Sequence, residues 1–572
     1  MTDLVALVQR RPDRGGESAT RVIILAAGHA RRLGPLSGLG KTHVRFRSAP
    51  ALITQLVTLA RAGLMDVTIV CRPEHEARVS NLVDEVATPL GLSVQFLLQG
   101  DSPGPGSAFA RAVCDSAQGR PVLLLLADTI VRSIPDLRMS WIAVAPPPSE
   151  RPWCLVGTNS AGRVSSLRNG TVGEEAAQPV AVGLYYFSDG VALEALCAGL
   201  QPESTTTQVE LSEVLSRYLE TQALWSVPAD QWTDLGDLGA VSRATRSAFG
   251  TRPPSVIAVD DLGRVRKRPG HGGGAAQITF LRNMVEPVSC LFPRVWTVAD
   301  DLSEITMDYV SSPTLAESYL YQSADGEVWG SLIGDLVDRI DRYLWKQLPE
   351  NNPGEVIERC RLMYLDKPRR RFRRWLQKQP DSRSSRIRVN GREVLAGLEA
   401  LDQLVGLLTP VCEQPVPALV HGDLNFSNIL FDIESQTFRL IDPRGAFGRA
   451  GAVGDARYDA AKLRHSYAGM FDAAMHGIFT LSTLSPEEYV FRLGPDRGSA
   501  IAAIDRTLEQ RGFNLWHLRL IEASLFLSML PLHEDNPRRE RILYLRGLEL
   551  LDEASARRPQ VNDQSLRLRE RW

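Results

Sequence analysis

The sequence predicts an α/β unit built on a mostly parallel sheet, followed by a bilobal α+β unit. Three observations carry this. From residue 21 to about 245, short continuous apolar runs alternate with helical periods. Runs that are apolar at every position belong to strands covered by helices on both faces. At 247–254, SAFGTRPP breaks the pattern with small residues and prolines, as a linker does. From 255 short strand-like pieces follow, and after about 313 long amphipathic helical segments dominate, so a small β-rich lobe precedes a larger helical one.

The elements follow in order. Residues 1–20 read as a polar, flexible leader. RVIILA at 21–26 is a β-branched run leading straight into a glycine-bearing loop. Leu52 to Ala62 has helical spacing, and VTIVC at 67–71, SVQFLL at 93–98 and VLLLLA at 122–127 read as three further buried strands. The first unit is therefore placed at 21–247, the small lobe at 248–312, the helical lobe at 313–556 and a frayed tail at 557–572. In the small lobe SVIAV and RVRKR are strands around a glycine-rich turn at 270–274, and a strand–loop–strand unit interrupts the helices at 417–442.

Composition bounds the function. The 572 residues allow about three to five domains. With 44% apolar and 23% charged residues, disorder as the main state, collagen and coiled coil are excluded. Lys and Arg total 65 against 67 acids, so no global field favours nucleic acid or an anionic membrane. Seven cysteines stand singly, without zinc-ligand spacing, and read as reduced thiols of a cytoplasmic protein. The N-terminus is not a secretory signal, and runs such as VLLLLA are far too short to span a bilayer.

The first chemical constellation is VIILAAGHARRLGPLSGLGK at 22–41. A buried strand ends in Leu25, Ala26, Ala27 and Gly28, small residues that let a ligand approach the backbone. Loop N–H groups can cradle phosphates, and Arg32 and Lys41 can neutralise a triphosphate and a pyrophosphate leaving group. Such loops lie at the carboxyl ends of parallel strands, where open α/β sheets bind ligands. Asp128 in LLLLADTI and Asp234 in QWTDLGDLGAV complete the set as Mg²⁺ ligands.

On Leu25, Ala26, Ala27, Gly28, Arg32, Leu33, Pro35 and Lys41, residues 21–245 resemble the nucleotidyltransferases that make nucleotide-activated sugars and alcohols. Ala30 stands at the motif's second glycine and Gly40 at the proline before its lysine. The resemblance implies a Rossmann-like nucleotidyltransferase domain in which Asp128 and Asp234 carry the metal. It also implies that Gln99, with Gly106 and Ser107 nearby, reads the nucleobase, and that Gly183 and Glu210 fall in the acceptor pocket.

The second constellation is HGDLNFSNILFD at 421–432 with RLIDPRG at 439–445. His421, Asp423 and Asn428 have the spacing in which an Asp accepts a hydroxyl proton and an Asn five residues on binds Mg²⁺. Asp442 follows a short strand, at the place of the second metal ligand. Lys267 in GRVRKRPG is the candidate for the α/β-phosphates. Gln277 occupies the likely place of its usual acidic partner, and Glu286 comes later. Met307 and Tyr309, in MDYV, read as the hinge beside adenine. These strings resemble the aminoglycoside phosphotransferase and choline kinase superfamily over about 255–555, with DPRG replacing its usual metal-binding triplet. The resemblance implies a protein-kinase-like fold.

Other features have plainer readings. KPRRRFRRW at 367–375 reads first as a solvated helix face with Phe372 and Trp375 turned inward, and otherwise as a site for RNA, an acidic partner or substrate phosphate. Tyr364, Lys367 and Arg444 are candidates for the acceptor pocket. Asp455 and Asp459 read as cap and loop brace, and His465 and His533 as core or capping residues.

Together these readings give a bifunctional enzyme. The second unit uses ATP to phosphorylate a small hydroxyl compound, either a sugar, an aminoalcohol or a polyol. The first joins that phosphate to a nucleotide from a second NTP; the resemblance alone implies a slight preference for CTP and a place in surface glycan or capsule synthesis. The cofactor is Mg²⁺, and neither nucleic acid nor membrane insertion is expected. The alternative is one activity, with the other unit binding or regulatory.

Overall fold

The computed structural model describes residues 20–28, 32–33, 40–46, 49–99, 104–148, 152–171, 178–200, 209–229, 231–248, 256–260, 262–270, 274–322, 324–348, 353–379 and 384–557. The expected leader, the positions of Ala30, Arg31 and Pro35, most of the 247–254 break and the end of the tail lie outside these residues. The chain divides into two compact units, Met1–Ala248 and Phe249–Trp572.

The first unit begins with β1 (Arg21–Leu25), α1 (Ala51–Arg61), β2 (Asp66–Cys71), α2 (Glu76–Leu90), β3 (Ser93–Leu98), α3 (Pro105–Ser116) and β4 (Val122–Leu126). These strands are parallel and lie in the order β3-β2-β1-β4. Order follows sequence until β1, where the chain crosses back, so the gap between the carboxyl ends of β1 and β4 is a topological switch point. β1 is buried throughout. β3, at the sheet edge, is not: Ser93, Gln95 and Leu98 are exposed and the rest partly buried, so the buried strand expected for SVQFLL is corrected to a half-exposed one. Beyond β4 the sheet continues antiparallel through β8 (Val180–Phe187). Against β8 lie β5 (Trp141–Ala145) and β6 (Trp153–Thr158), with β7 (Val164–Gly170) and β9 (Trp225–Pro228) outermost. α4 (Gly190–Ala198) and α5 (Leu211–Thr221) follow β8 and pack on α3, and α6 (Leu238–Ala248) ends the unit.

The second unit opens with an antiparallel sheet of β10 (Val256–Val259), β11 (Arg264–Arg268), β12 (Val295–Val298) and β13 (Ile305–Asp308). Their order is β10-β11-β13-β12, and α7 (Gly274–Arg282) joins β11 to β12. The helical part contains α8 (Lys367–Lys378) and α9 (Ala456–Tyr467). Between them a loop from His421 to Asn428 leads into a hairpin of β14 (Ile429–Asp432) and β15 (Thr437–Leu440).

The region also holds a four-stranded sheet of 386–389, 392–395, 479–485 and 488–493, where the sequence reading expected helices. Its signal was Asn390-Gly391, both at positive φ (48° and 80°), which is the turn chemistry of a two-residue hairpin. Among the described residues one helical stretch, Leu515–Leu532, is long and apolar enough to cross a membrane, and 67% of it is buried inside the protein. It packs on α9 and α8 as a core helix.

Candidate functional sites

The first site forms at the switch point. Ala26 N–H donates to Val70 O at 2.8 Å, and Ala127 N–H donates to Leu25 O at 3.1 Å, so the loops leaving β1 and β4 are tied to the sheet. Leu25, Ala26 and Ala27 are buried, and the chain emerges only at Gly28. Lys41 sits on a single 3-10 turn, Lys41–His43, entered through Gly40 at φ 71°. Its ammonium bonds Asp128, and a Cβ placed on Gly28 would lie 4.0 Å from the Lys41 Cε and Nζ atoms. Burial pushes the Asp128 carboxyl up, but Lys41 and then Arg32 outweigh it and hold the group below its ordinary value. Arg32 itself is exposed.

Asp234 joins Asp128 through backbone. Residues 233–234 pair antiparallel with 129–130, and Leu235 N–H donates to Asp128 O at 2.9 Å. Gly183 lies behind this ladder at φ 88°, where a Cβ would come within 2.5 Å of Thr129 Oγ1, so only glycine fits. Gly106 N–H donates to Val209 O at 2.9 Å, and a Cβ there would meet Glu210 O at 2.6 Å. Its lack of a side chain thus serves the seating of α3 on the segment before α5, and it brings Glu210 to that helix. Gln99 lies two strands from β1, at the end of β3, where its N–H donates to Cys71 O at 2.8 Å.

One residue escaped the sequence reading. Gln55 in α1 is 3% exposed, and its Nε2 donates to Leu126 O at 2.8 Å and Thr129 O at 2.7 Å. It grips the chain on both sides of Asp128. The available signal was a lone glutamine inside the apolar stripe of ALITQLVTLAR.

The second site gathers around Asp423. Lys462 Nζ lies 3.0 Å from Asp423 Oδ1, and Arg444 Nη2 lies 3.5 Å from the same oxygen. Burial raises the Asp423 pKa, but these two cations outweigh it and hold the group far below the usual carboxylate range. Asn428 Nδ2 donates to Asp423 O at 2.8 Å, which leaves its side-chain oxygen as an acceptor. Asp459 braces the loop: its carboxylate accepts from His421 N–H at 2.8 Å and Gly422 N–H at 2.9 Å. Asp455 caps α9 by accepting from Arg457 N–H at 3.0 Å. His421 stacks on Phe292, its Nε2 lies 2.9 Å from Ile441 O, and burial pushes its pKa down to about 4.

Lys267 reaches across from β11 and donates to Asp442 Oδ1 at 2.5 Å. Asp442 stands at φ 59°, a conformation Asp tolerates better than most residues. Gln277, where an acidic partner of Lys267 was sought, instead donates from Nε2 to Pro443 O at 3.0 Å. Glu286 accepts from Ser289 at 2.6 Å and is no partner of Lys267. Met307 pairs with Val265 on one side and Val295 on the other, inside the sheet, one residue before β13 ends. Tyr309 follows the strand and lines a cleft of about 730 Å³ with Trp296, Asp308, Leu430 and Arg439.

Among the described residues no group of three or more His, Cys, Asp and Glu side chains could hold a metal. Asp128 with Asp234, and Asn428 with Asp442, are oxygen-only pairs. That donor set suits Mg²⁺, which takes few protein ligands and completes its shell with phosphate oxygens and water.

The family model "Nucleotidyl transferase" matches residues 21–248. The first unit is a nucleotidyltransferase domain. Among solved structures, the chain is similar to a glucose-1-phosphate thymidylyltransferase from Bacillus anthracis, in complex with a sucrose, at 17% identity and a TM-score of 0.36, covering 41% of this chain and 96% of that one. It is also similar to the inositol-1-phosphate CTP transferase from T. maritima, at 13% identity and a TM-score of 0.33, covering 41% and 97%. No curated protein matches the chain at a significant level.

Proposed function

We propose that the chain is a bifunctional enzyme. The second unit phosphorylates a small hydroxyl compound with ATP, and the first transfers a nucleotidyl group from a second NTP onto that phosphate. The observation that carries the second half is that the loop of Asp423 and Asn428 is tied through Ile441 N–H, 2.9 Å from Asn428 O, to the segment of Asp442, which Lys267 reaches from β11.

In the phosphotransfer step Asp423 accepts the proton of the acceptor hydroxyl as its oxygen attacks the γ-phosphorus and ADP leaves. Arg444 and Lys462 keep the base ionised and aimed. Lys267 exchanges Asp442 for the ATP phosphates when the nucleotide binds. In the nucleotidyl step the new phosphate attacks the α-phosphorus and pyrophosphate leaves. Lys41 and Arg32 neutralise charge that builds on the phosphates, and the Ala26–Gly28 turn lets them approach the backbone. Asp128 with Asp234 and Asn428 with Asp442 would each hold Mg²⁺, which when bound neutralises phosphate charge and orients the leaving group.

The test is ³¹P NMR of the full chain with Mg²⁺, ATP and each of CTP, UTP, GTP and dTTP, over pooled sugars, polyols and aminoalcohols. A phosphomonoester followed by a diphosphodiester and pyrophosphate is expected. Asp423→Ala should remove the phosphomonoester, and with it the diphosphodiester unless the phosphorylated acceptor is supplied, whereas Asp128→Ala should remove the diphosphodiester alone. A single substitution that abolishes both half-reactions when each is given its own substrate contradicts the proposal.

A further inference from the structure

The run KPRRRFRRW reads as one basic patch, but the helix sorts it into faces. Phe372 and Trp375 are buried, and Arg369, Arg370, Arg373 and Arg374 are exposed. Lys367 and Arg371 are neither. They stand four residues apart, one turn along α8, hence on a common face, and both are partly buried. A π-helical turn, Leu362–Asp366, runs directly into Lys367, and such turns shift the face a helix presents.

That face belongs with the surroundings of Asp423. Lys367 lies within electrostatic reach of Asp423, Arg444 and Lys462, and Arg371 within reach of Arg444. Three cations, Lys462, Arg444 and Lys367, therefore lie around one carboxylate, and Arg371 adds a fourth positive charge beside Lys367 and Arg444. Lys462 and Arg444 are matched by the carboxylate. Lys367 and Arg371 are not. Among the described residues neither has a carboxylate within ion-pair distance. The nearest partners are Met363 Sδ at 4.0 Å from Lys367 Nζ and Ser528 O at 3.5 Å from Arg371 Nη1. Burial first, then Arg444, Arg371 and Lys462, hold the Lys367 pKa well below its ordinary value. Like charges gathered in a half-buried space cost free energy unless an anion joins them. The ATP side of the site already has its own cation, Lys267, with Asp442.

We propose that Lys367 and Arg371 bind an anionic group of the acceptor, a carboxylate or a phosphate, and so hold its hydroxyl at Asp423. The proposal rests on the phosphotransfer reading of this site for the role of the anion, but not for its binding. It sets the acceptor apart from neutral sugars and from cationic aminoalcohols. A charge-assisted bond from each cation would fix the acceptor's orientation before transfer.

Two measurements on the full chain separate the binding claim from the chemical one. In the first, calorimetry follows binding of inorganic phosphate, glycerate, glucuronate, glucose and choline to the wild type, Lys367→Met and Arg371→Gln. The expected result is that at least one anion binds, glucose and choline do not, and each variant weakens the anion by about tenfold or more. The carboxylate and phosphate probes tell the two anions apart. Anion binding that is absent, or that neither variant changes, overturns the proposal. In the second, ADP release is followed with the same organic compounds. A higher KM for the acceptor at unchanged KM for ATP in Lys367→Met supports it. A higher KM for ATP instead assigns the cations to the nucleotide and overturns it. Anion binding without ADP release from any compound keeps the anion site and removes the phosphotransfer reading.

Discussion

At the scale of the residue, the two sites solve one problem differently. Each holds an aspartate away from water, Asp128 buried and Asp423 half-buried, and keeps it ionised with lysine and arginine. Asp128 uses Lys41 and Arg32, and Asp423 uses Lys462 and Arg444. The consequence for Asp423 is specific. As the general base of the proposed reaction, its replacement by Asn should lower ATP-dependent phosphorylation by about 10²–10⁴-fold and leave pyrophosphate release at the first site unchanged when the phosphorylated acceptor is supplied. Separate assays of ADP and pyrophosphate check this. Because Asp423 stays a carboxylate well below neutral pH, the phosphorylation rate should show no acidic limb from this group between about pH 5 and 8. Residue identities were the most legible part of the sequence. Motif spacing tied Asp423 to Asn428 and placed Lys267 on its strand, because those links are local. Asp459 was legible as a loop brace, but Gln55 and Lys462 arrive from distant elements and carry no signature of their own.

At the scale of the element, glycines and one glutamine set the geometry. Gly445 stands at φ 63°, where a Cβ would fall 2.1 Å from Ala276 O in α7. The turn that carries Asp442 thus packs directly on that helix, and Gln277 fastens it through Pro443. Gly445→Ala should destabilise the second unit by about 2–4 kcal/mol and raise the KM for ATP, read by calorimetry and initial rates. In the first unit, Gln55→Leu removes both donors to the turn around Asp128 and leaves two carbonyls short of a partner. The expected loss is about 3 kcal/mol, with a lower kcat for nucleotidyl transfer and normal phosphorylation. An unchanged melting temperature in that variant would mean the grip is not structural. Strands that are apolar throughout were legible because burial on both faces leaves a continuous run, as in β1, β2 and β4. The sheet of 386–395 and 479–493 was not, because RIRV and REVL are only four residues each and half charged, too short for a period to stand out among helical segments.

At the scale of the whole molecule, the two units should respond differently to acid. In the second unit burial lowers His421, His476 and His517 to about 4, and His465 well below its ordinary value. Their folded pKa values lie below the unfolded value of about 6.5. The stability they contribute is therefore complete above that pH and is lost as pH falls toward 4. Asp459 and Asp472, raised to about 6 by burial, act in the opposite direction over the same window, since the folded form keeps protons that the unfolded chain releases. Glu522 and Glu540 are raised by burial as well, but the four imidazoles move further than the four carboxyls, so the second unit should lose a few kcal/mol between about pH 6.5 and 4. The first unit, where His43 is the described histidine lowered to about 4, should lose less. Calorimetric scans across this range should show two transitions that separate on acidification, the second unit melting earlier. Transitions that fall together would contradict this reading of the buried histidines.

The claim that joins the two units is that the phosphate made at Asp423 is the phosphate extended at Lys41 and Asp128. Labelling tests it directly. The full chain is supplied with Mg²⁺, ATP labelled at the γ-phosphorus, an unlabelled second NTP and the acceptor identified by NMR. The account predicts that the label appears first in the phosphomonoester, then in the diphosphodiester, at the phosphorus attached to the acceptor. A labelled phosphomonoester that never enters the diphosphodiester, or a diphosphodiester formed without label, would contradict it.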